Sequence, residues 1–244
     1  MKKIELILYL LLCVSCNISF SQDGNITVKY TYLLDDAKKD EYGSNDFKKS
    51  TLITNGIRSL YFEKNIDTTI VFSSGDDMIF EKNEFVYNHF KDLKNKSILY
   101  RDRNIGMVNL IKDENYNINW TITNNTKKVM GYSCQEAIGI FRCRSYKAYF
   151  LKDIPMSDGP YKFDGLPGLI LEVASDDEAV KISAYEIIID NDIISNPFKD
   201  EKKFISYDEA LKKYQLKFDK IANYRDDENG TATIPKRYIE CYVK

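Results

Sequence analysis

The sequence has few residues of the types that catalytic and metal-binding motifs require. Its 244 residues include a single histidine, His89, and a single tryptophan. A Ser-His-Asp or Cys-His arrangement would have to use His89. That residue lies in a strand-like run, FVYNHFKD, with no motif around it, so we interpret it as a surface histidine or a hydrogen-bonded histidine of a strand rather than a catalytic base. No Gly-x-Ser-x-Gly elbow or phosphate-binding loop occurs either. We therefore predict no catalytic residue, no metal site and no cofactor.

The sequence also lacks an excess of charge of one sign. Lysine and arginine number 35 and aspartate and glutamate 37, which leaves a formal net charge of −2. Because no broad basic surface is expected, the charge balance argues against nucleic acid as a partner. Beyond the first residues there is no apolar run long enough to span a bilayer, so we expect no transmembrane helix.

The first residues, MKKIELILYLLLCVSCNISFSQ, are typical of a signal peptide. Two lysines precede an apolar core from Leu6 to Val14, which is too short to cross a membrane. Ser19 and Ser21 are small residues at the positions that favour cleavage before Gln22. The sequence therefore predicts export.

Export divides the chain into a signal peptide, residues 1–21, and a single β-rich domain, residues 22–244. We expect the mature protein to be periplasmic, associated with the outer membrane, or secreted. A lipid-anchored alternative would use Cys16 as the acylated residue.

Three of the five cysteines remain in residues 22–244, so at least one thiol stays unpaired within a monomer. If Ile138 and Gly139 formed a two-residue turn, Cys134 and Cys143 would face each other across a hairpin, where a disulfide is geometrically possible. In the alternative, Cys241 pairs with either of them.

Alternating apolar and polar residues predict a mainly β fold. In the segment NITVKYTYLL (25–34), Ile26, Val28, Tyr30 and Tyr32 alternate with polar residues. The segment 50–64 has two β-prone runs around Asn55-Gly56, a strong hairpin signal. Five further runs are predicted strands: 68–73, 84–91, 96–102, 106–112 and 117–123. The clusters Ser74–Asp77 and Asn124–Thr126 are predicted turns. Strands are also predicted around residues 131–155, at 179–189 and in the tail RYIECYVK.

The period changes to that of a helix only near the C-terminus. Apolar residues at Ala210, Tyr214 and Phe218 follow helical spacing, and Ser206 with Glu209 forms a capping box. The predicted fold is therefore α+β and mainly β: an antiparallel meander sheet, in one version an open half-barrel, with one amphipathic C-terminal helix.

The stretch FDGLPGLILEV (163–173) contains two glycines and a proline before an apolar run. Pro167 and Gly168 suit a type II turn, with Gly168 at positive φ, that directs a buried strand into the sheet. A second turn is predicted at Asp158–Pro160. The residues predicted to shape this corner are Gly159, Pro160, Gly165, Pro167 and Gly168. The alternative is a rigid loop that presents side chains to a ligand; these would be Asp158, Tyr161, Lys162 and Asp164.

Residues 131–173 resemble the GLPGLI family, secreted proteins common in Bacteroidetes. The resemblance rests on GYSCQEA, RSYKAYF and DIPMSDGPYKFDGLPGLILEV, in that order. It implies an exported β protein, but no reaction, because the biochemical function of the family is generally unknown. Cys143 departs from the family pattern, in which a glycine usually precedes the arginine.

Three functions are consistent with this pattern. The first is a non-enzymatic binding or accessory module, with a groove between sheet and helix for a hydrophobic ligand or an extended peptide. An open sheet of this kind would resemble periplasmic lipoprotein carriers in fold alone. The second is a hydrolase that uses two carboxylates facing across a cleft. The third is an assembly partner of an outer-membrane complex that pairs through its edge strands. The partners considered are thus lipid, peptide or an outer-membrane protein.

Overall fold

The structure is a computed structural model that describes residues 24–34, 48–72, 78–102, 108–222 and 239–240. Within these ranges the chain forms twelve strands and one helix. No helix in the described ranges has the length and apolar character needed to cross a membrane. The predicted signal peptide and the turn at Ser74–Asp77 lie outside these ranges.

The elements follow one another along the chain, with the longest links after β1, β9 and β11. They are β1 (Asn25–Leu34), β2 (Lys48–Thr54), β3 (Arg58–Phe72), β4 (Met78–Asp92), β5 (Ser97–Asp102), β6 (Asn109–Asp113), β7 (Thr121–Val129), β8 (Tyr132–Phe141), β9 (Arg144–Leu151), β10 (Leu169–Ser175), β11 (Val180–Asp190), β12 (Ile205–Ser206) and α1 (Tyr207–Ala222).

All twelve strands belong to one open sheet, in the order β12-β6-β5-β4-β3-β2-β1-β11-β10-β9-β8-β7. Two antiparallel meanders, β1–β6 and β7–β11, meet where β1 pairs with β11. Only the short β12 pairs in parallel, with β6. The predicted mainly β meander with one helix near the C-terminus is therefore confirmed, and the sheet does not close.

The alternation in the sequence corresponds to burial in the sheet. In β1 the side chains of Ile26, Val28, Tyr30 and Tyr32 are all buried. The predicted Asn55-Gly56 hairpin is confirmed: Gly56 has a φ of 78° and the Asn55 side chain accepts hydrogen bonds from two following backbone N–H groups. Glycine and asparagine suit this turn because both tolerate its backbone conformation.

Two turn predictions in the second meander are wrong. Asn124–Thr126 lies inside β7, at an irregularity of its pairing with β8. Gly139 lies inside β8, and the turn comes three residues later, at Arg142 and Cys143, which both have positive φ. Gly139 is a packing position instead, since a β-carbon there would lie 2.7 Å from the ring of Trp120.

The displaced turn also corrects the predicted disulfide. Cys134 is a buried free thiol, whereas Cys143 is disulfide-bonded. With the turn at residues 142 and 143, Cys134 pairs across to Lys127 of β7 and lies well away from Cys143. The partner of Cys143 therefore lies outside the described residues, and its pairing with Cys241 stays a prediction.

We expect Cys134 to resist alkylation by iodoacetamide in the native protein, because burial removes it from solvent and raises its pKa to about 11. Denaturation without reductant should expose one reactive thiol, at Cys134, and peptide mapping should link Cys143 to Cys241. The latter follows from the contact between Arg142 and Glu240, which directly precede the two cysteines. A peptide linking Cys134 to Cys143 would contradict this assignment.

The buried strand after Gly168 is confirmed as β10, but the role of this glycine is not the predicted one. The positive φ of the segment, 91°, is at Gly165, and Gly168 is not among the positive-φ residues. A β-carbon at Gly168 would overlap the carbonyl group of Leu151 on β9. Gly168 therefore permits the close approach of two backbones rather than a type II turn.

The helix begins where the capping pattern predicts. The Ser206 hydroxyl accepts a hydrogen bond from the Glu209 backbone N–H at 3.2 Å. Ala210 and Tyr214 are buried, whereas Leu211, Phe218 and Ile221 are half-buried. The helix packs beside β6 and β12, at one end of the sheet, so it does not lie across the middle of the sheet.

Candidate functional site

The connection between β9 and β10, residues 152–168, packs on one face of the sheet, which we call the loop face. Backbone hydrogen bonds hold both ends of this connection: Leu169 N–H donates to Ile154 C=O, and Ile170 N–H to Asp158 C=O. The predicted turn at Asp158–Pro160 is displaced by two residues, since Phe163 N–H donates to Pro160 C=O. The loop carries Asp158, Tyr161, Lys162 and Asp164 across the sheet toward β4–β6.

The sheet presents two rows of side chains to this loop. One row contains Lys91, Ile98 and Asp113 on β4, β5 and β6, and the next contains Tyr61, His89, Tyr100 and Ile111. Paired residues in an antiparallel sheet share a face. The strand register alone therefore brings a lysine, an aspartate and the single histidine under the loop.

Four charged side chains form a closed square on the loop face: Asp113, Arg142, Glu240 and Lys162. Arg142 Nη2 lies 2.7 Å from Asp113 Oδ1, and its Nη1 donates to Glu240 Oε2. Lys162 Nζ lies 2.5 Å from Glu240 Oε1 and 3.4 Å from Asp113 Oδ2. All but Arg142, which is 12% exposed, are at most 1% exposed. We call this set the charge square.

A second buried ion pair lies beside the square. Lys91 Nζ donates to Asp158 Oδ1 and to the Gly159 carbonyl oxygen, and neither charged side chain is exposed. Asp158 Oδ1 also accepts the Gly159 backbone N–H, at 2.8 Å, whereas Oδ2 has no hydrogen-bond partner. The ammonium thereby ties the start of the 158–164 segment to β4.

Asp164 joins the other end of the segment to the loop that precedes β7. Its Oδ2 accepts the Tyr116 hydroxyl at 3.1 Å, and its carbonyl oxygen accepts Trp120 Nε1–H at 2.8 Å. Lys96, which is half exposed, lies 3.4 Å from Oδ1. Asp164 therefore acts as a cross-link between segments that are far apart in the sequence.

His89 is enclosed by aromatic rings. It stacks on Tyr100, with 5.1 Å between ring centroids, and meets Tyr61 and Tyr161 edge to face. Its Nδ1 is buried without a hydrogen-bond partner. Burial lowers the His89 pKa well below its usual value, and the nearby Lys162 charge lowers it further. The neutral imidazole is thus a packing element in strand β4, whereas the sequence predicted a surface histidine or a hydrogen-bonded one.

Burial and charge act in opposite directions on the buried carboxyl groups. For Glu240, burial raises the pKa, but Lys162 and Arg142 outweigh it and hold the value at about 2. For Asp164, burial raises the pKa, and the charges of Lys91 and Lys96 only partly oppose it. Glu240 is therefore an ionised partner in the square at any physiological pH.

These shifts predict that acid destabilises the fold in two steps. The folded-state pKa of His89 lies below its unfolded value of 6.5, so stability falls as pH drops below 6.5. That of Glu240, about 2, lies below its unfolded value of 4.5, so a further fall is expected between pH 4.5 and 2. The pKa of Asp164 is raised in the folded state, so the protonation of this carboxyl group increases stability as pH falls.

The measurement is the urea midpoint as a function of pH. Replacing Glu240 by glutamine should lower the midpoint at neutral pH and flatten its fall below pH 4.5. A Glu240→Gln curve parallel to the wild-type curve below pH 4.5 would contradict the role of this carboxylate.

The loop residues named from the sequence are thus brought together, but inside the protein. Asp158, Lys162 and Asp164 are at most 2% exposed and Tyr161 is 9% exposed, so none stands on a surface loop. Sequence reasoning missed their charged partners, which are Lys91 for Asp158, Asp113 and Glu240 for Lys162, and Lys96 for Asp164. The register of β4–β6 could have indicated Lys91 and Asp113, whereas no spacing in the sequence points to residue 240.

The arrangement is that of a structural lock. Every cation of the cluster faces a carboxylate, and the Glu240 oxygens accept three donors. Tyr161, with a φ of 54°, adopts a backbone conformation that a non-glycine residue rarely holds, and its hydroxyl donates to Glu240 at 2.7 Å. In the described part of the chain, no group of three or more His, Cys, Asp and Glu side chains is placed to hold a metal.

The opposite face of the second meander carries two further acids. Glu136, Tyr149 and Glu172 form one row across β8, β9 and β10. Glu136 accepts hydrogen bonds from Asn125, Thr123 and Tyr149, which outweigh burial and lower its pKa. Glu172 faces Lys127 and the Ser183 hydroxyl. Because its donors favour the charged form, Glu136 is not suited to act as a general acid.

Exposed apolar side chains concentrate on the β7–β8 hairpin, at the free end of the sheet. Of the eleven large hydrophobic residues that are exposed in the described part of the chain, five lie there: Ile122, Met130, Tyr132, Ile138 and Ile140. By register, Ile122 shares the loop face with Ala137, whereas Ile138 lies on the opposite face. We call these five residues the hairpin patch.

The fold and the cluster thus define a mainly antiparallel β protein with a buried charge lock. A model of a protein family of unknown function, Porph_ging, matches residues 142–172, which run from the β8–β9 turn into β10. The match spans the square residues Arg142 and Lys162 and the GLPGLI stretch. No curated protein matches the sequence.

Two solved structures, both of PNGF-II, are similar in fold. The structure in space group C2 has a TM-score of 0.51 and 14% identity, over 78% of this chain and 32% of that one. The structure in space group P21 has a TM-score of 0.46 and 13% identity, over 75% and 31%. The chain thus spans about a third of that protein, and the likeness concerns the fold alone.

Proposed function

We propose that the protein is an exported, non-enzymatic binding module of the GLPGLI type that takes an extended polypeptide segment at the free β7 edge of its sheet. The observation that carries the proposal is the hairpin patch. Exposed apolar side chains concentrated along one edge of a sheet favour an interface with another chain. In the sheet, β7 is the outermost strand and pairs only with β8 among the described strands.

The edge strand supports an extended partner. Seven of the nine β7 residues are exposed, with only Thr123 half-buried and Val129 buried. A strand added beside β7 would project alternate side chains to both faces of the sheet. Exposed apolar side chains lie on both, at Ile122 on the loop face and at Ile138 and Ile140 on the other. The exposed Lys128 favours a partner with acidic residues.

The position of the helix favours a peptide over an acyl chain. A carrier groove would require the helix to cover the middle of the sheet, whereas α1 packs beside β6 and β12 at the other end. The disulfide at Cys143 supports export, because disulfides persist in oxidising compartments. The GLPGLI assignment is supported by the family match to residues 142–172, within the stretch that carries the resemblance.

Fluorescence anisotropy with labelled synthetic peptides tests this proposal. The probes have about ten residues, the length of a long strand: alternating valine and aspartate, the same composition with the valines grouped, and alternating valine and lysine. We expect saturable binding of the first probe only. The double variant Ile138→Asp/Ile140→Asp should bind it at least about tenfold more weakly, a loss of about 1.4 kcal/mol.

Val108→Asp is the matched control, because Val108 is 63% exposed and Ile140 67%, and Val108 directly precedes β6, far from the hairpin. This variant should bind like the wild type. The hairpin patch would be excluded as the docking surface if the three probes bound equally. It would also be excluded if Val108→Asp weakened binding as much as Ile138→Asp/Ile140→Asp.

A further inference from the structure

Three donors from two separate segments converge on one carboxylate. Glu240 Oε2 accepts from Arg142 Nη1, at the β8–β9 turn. Oε1 accepts from Lys162 Nζ at 2.5 Å and from the Tyr161 hydroxyl at 2.7 Å, both in the loop. A guanidinium, an ammonium and a phenol hydroxyl around both oxygens form a complete receptor for a carboxylate.

Aromatic rings hold the two cations in place. The guanidinium carbon of Arg142 lies 3.2 Å from the ring centroid of Tyr207, at the start of α1. Lys162 Nζ lies 4.0 Å from the ring centroid of Tyr100 on β5. Tyr207 also hydrogen-bonds Glu240, but the two cation–ring contacts do not pass through the Glu240 carboxylate, so each cation keeps an aromatic neighbour when that carboxylate is absent.

The net charge of the square without Glu240 indicates the charge of the ligand that the site would bind. Asp113 neutralises one of the two cations through its contacts with Arg142 and Lys162. Without Glu240, two buried cations face a single carboxylate, which leaves a net charge of +1. An uncompensated buried charge is strongly unfavourable, so the vacant receptor should take up an anion.

We infer that Arg142, Lys162 and Tyr161 form a carboxylate-binding site, which the chain fills in cis with Glu240 and which accepts a small external carboxylate when that side chain is removed. Glu240 reaches the site from 98 residues beyond Arg142. The preceding Ile239 carbonyl oxygen accepts the Tyr146 hydroxyl, at 2.7 Å, which anchors the segment beside the site. The ligand class is a monocarboxylate the size of the missing side-chain end.

Chemical rescue of the full-length Glu240→Ala variant tests the inference. Acetate replaces the atoms that the substitution removes, so at neutral pH it should stabilise the variant saturably. At about ten times its dissociation constant, acetate should raise the folding equilibrium constant about elevenfold, and the wild type should not respond. Thermal unfolding by circular dichroism is the readout, with sodium chloride maintaining equal ionic strength.

Three controls separate the site from general effects of salt or packing. Acetamide, which has the shape of acetate without the charge, should not stabilise Glu240→Ala. Glu240→Gln, whose amide fills the space, should not respond to acetate. Glu172→Ala, which removes an acid that pairs with Lys127 on the opposite face, should not respond either.

If Glu240→Ala does not fold alone, the readout becomes its refolding yield from urea as acetate is added. Acetate-dependent recovery of the native spectrum, absent with acetamide, is the expected result. The inference would be overturned if acetate changed neither the thermal stability nor the refolding yield of Glu240→Ala. It would also be overturned if acetate, acetamide and chloride raised them equally.

Discussion

Replacing Asp113 by asparagine should destabilise the protein by about 3–5 kcal/mol, the largest effect we expect from a single polar substitution. The substitution keeps the shape of the side chain but leaves Arg142 and Lys162 facing only Glu240. The side chain of Asp113 is fully buried, so water does not compensate the loss. The measurement is the free energy of unfolding from urea denaturation at neutral pH.

A second substitution should recover part of this loss. In Asp113→Asn/Lys162→Met the remaining charges, Arg142 and Glu240, again balance, so the double variant should be more stable than the sum of the single effects predicts. Glu186→Gln is the control: it removes a surface ion pair with Lys29 in which both side chains are well exposed, and the midpoint should not change measurably. Strict additivity, or an Asp113→Asn midpoint equal to wild type, would show that the square does not act as a unit.

Replacing Gly168 by alanine should destabilise the fold by about 3 kcal/mol, because the added methyl group meets backbone rather than a flexible side chain. The new β-carbon would lie 2.8 Å from the carbonyl carbon of Leu151 and 3.0 Å from the Phe150 ring. Relief would require β9 and β10 to separate at the point where the loop enters the sheet. Urea denaturation gives the free energy, and hydrogen exchange should show the loss centred on these two strands.

Two other glycines calibrate this result. The β-carbon of Gly165→Ala would make only an ordinary contact of 3.7 Å with Trp120 but would keep a positive φ, so a loss of about 1 kcal/mol is expected from backbone strain. At Gly24 a β-carbon would make an ordinary contact of 3.5 Å with Ile189, and the change should stay within about 0.5 kcal/mol. If Gly165→Ala proves worse than Gly168→Ala, conformation rather than close approach is the reason for the GLPGLI glycines.

The strands whose signals are local were predicted well. The alternation in 25–34, the Asn55-Gly56 hairpin, the strand after Gly168 and the helix that Ser206 caps all match the structure, because burial period, turn preference and capping act over a few residues. The turn near Gly139 was predicted at the wrong position because an isolated glycine suggests a turn. Here Gly139 lies inside a strand and leaves room for the Trp120 ring. The packing of a distant ring leaves no local signal.

The charge square shows where sequence reasoning ends. The sequence grouped Asp158, Tyr161, Lys162 and Asp164 as loop residues facing a ligand, whereas the structure buries all four. Their counterparts come from the register of three strands, from the β8–β9 turn and from residue 240. Only the register of the whole sheet places such positions side by side.

By itself, the order of residues determined the antiparallel strands, the helix that Ser206 caps and the buried run that becomes β10, because these depend on neighbours a few positions apart. Tertiary structure alone decided that the charged loop is interior, that Cys134 is unpaired and that the exposed apolar side chains gather at the β7–β8 end. Each of these depends on which strands become neighbours in the sheet. That arrangement is set by the burial of apolar side chains from all parts of the chain.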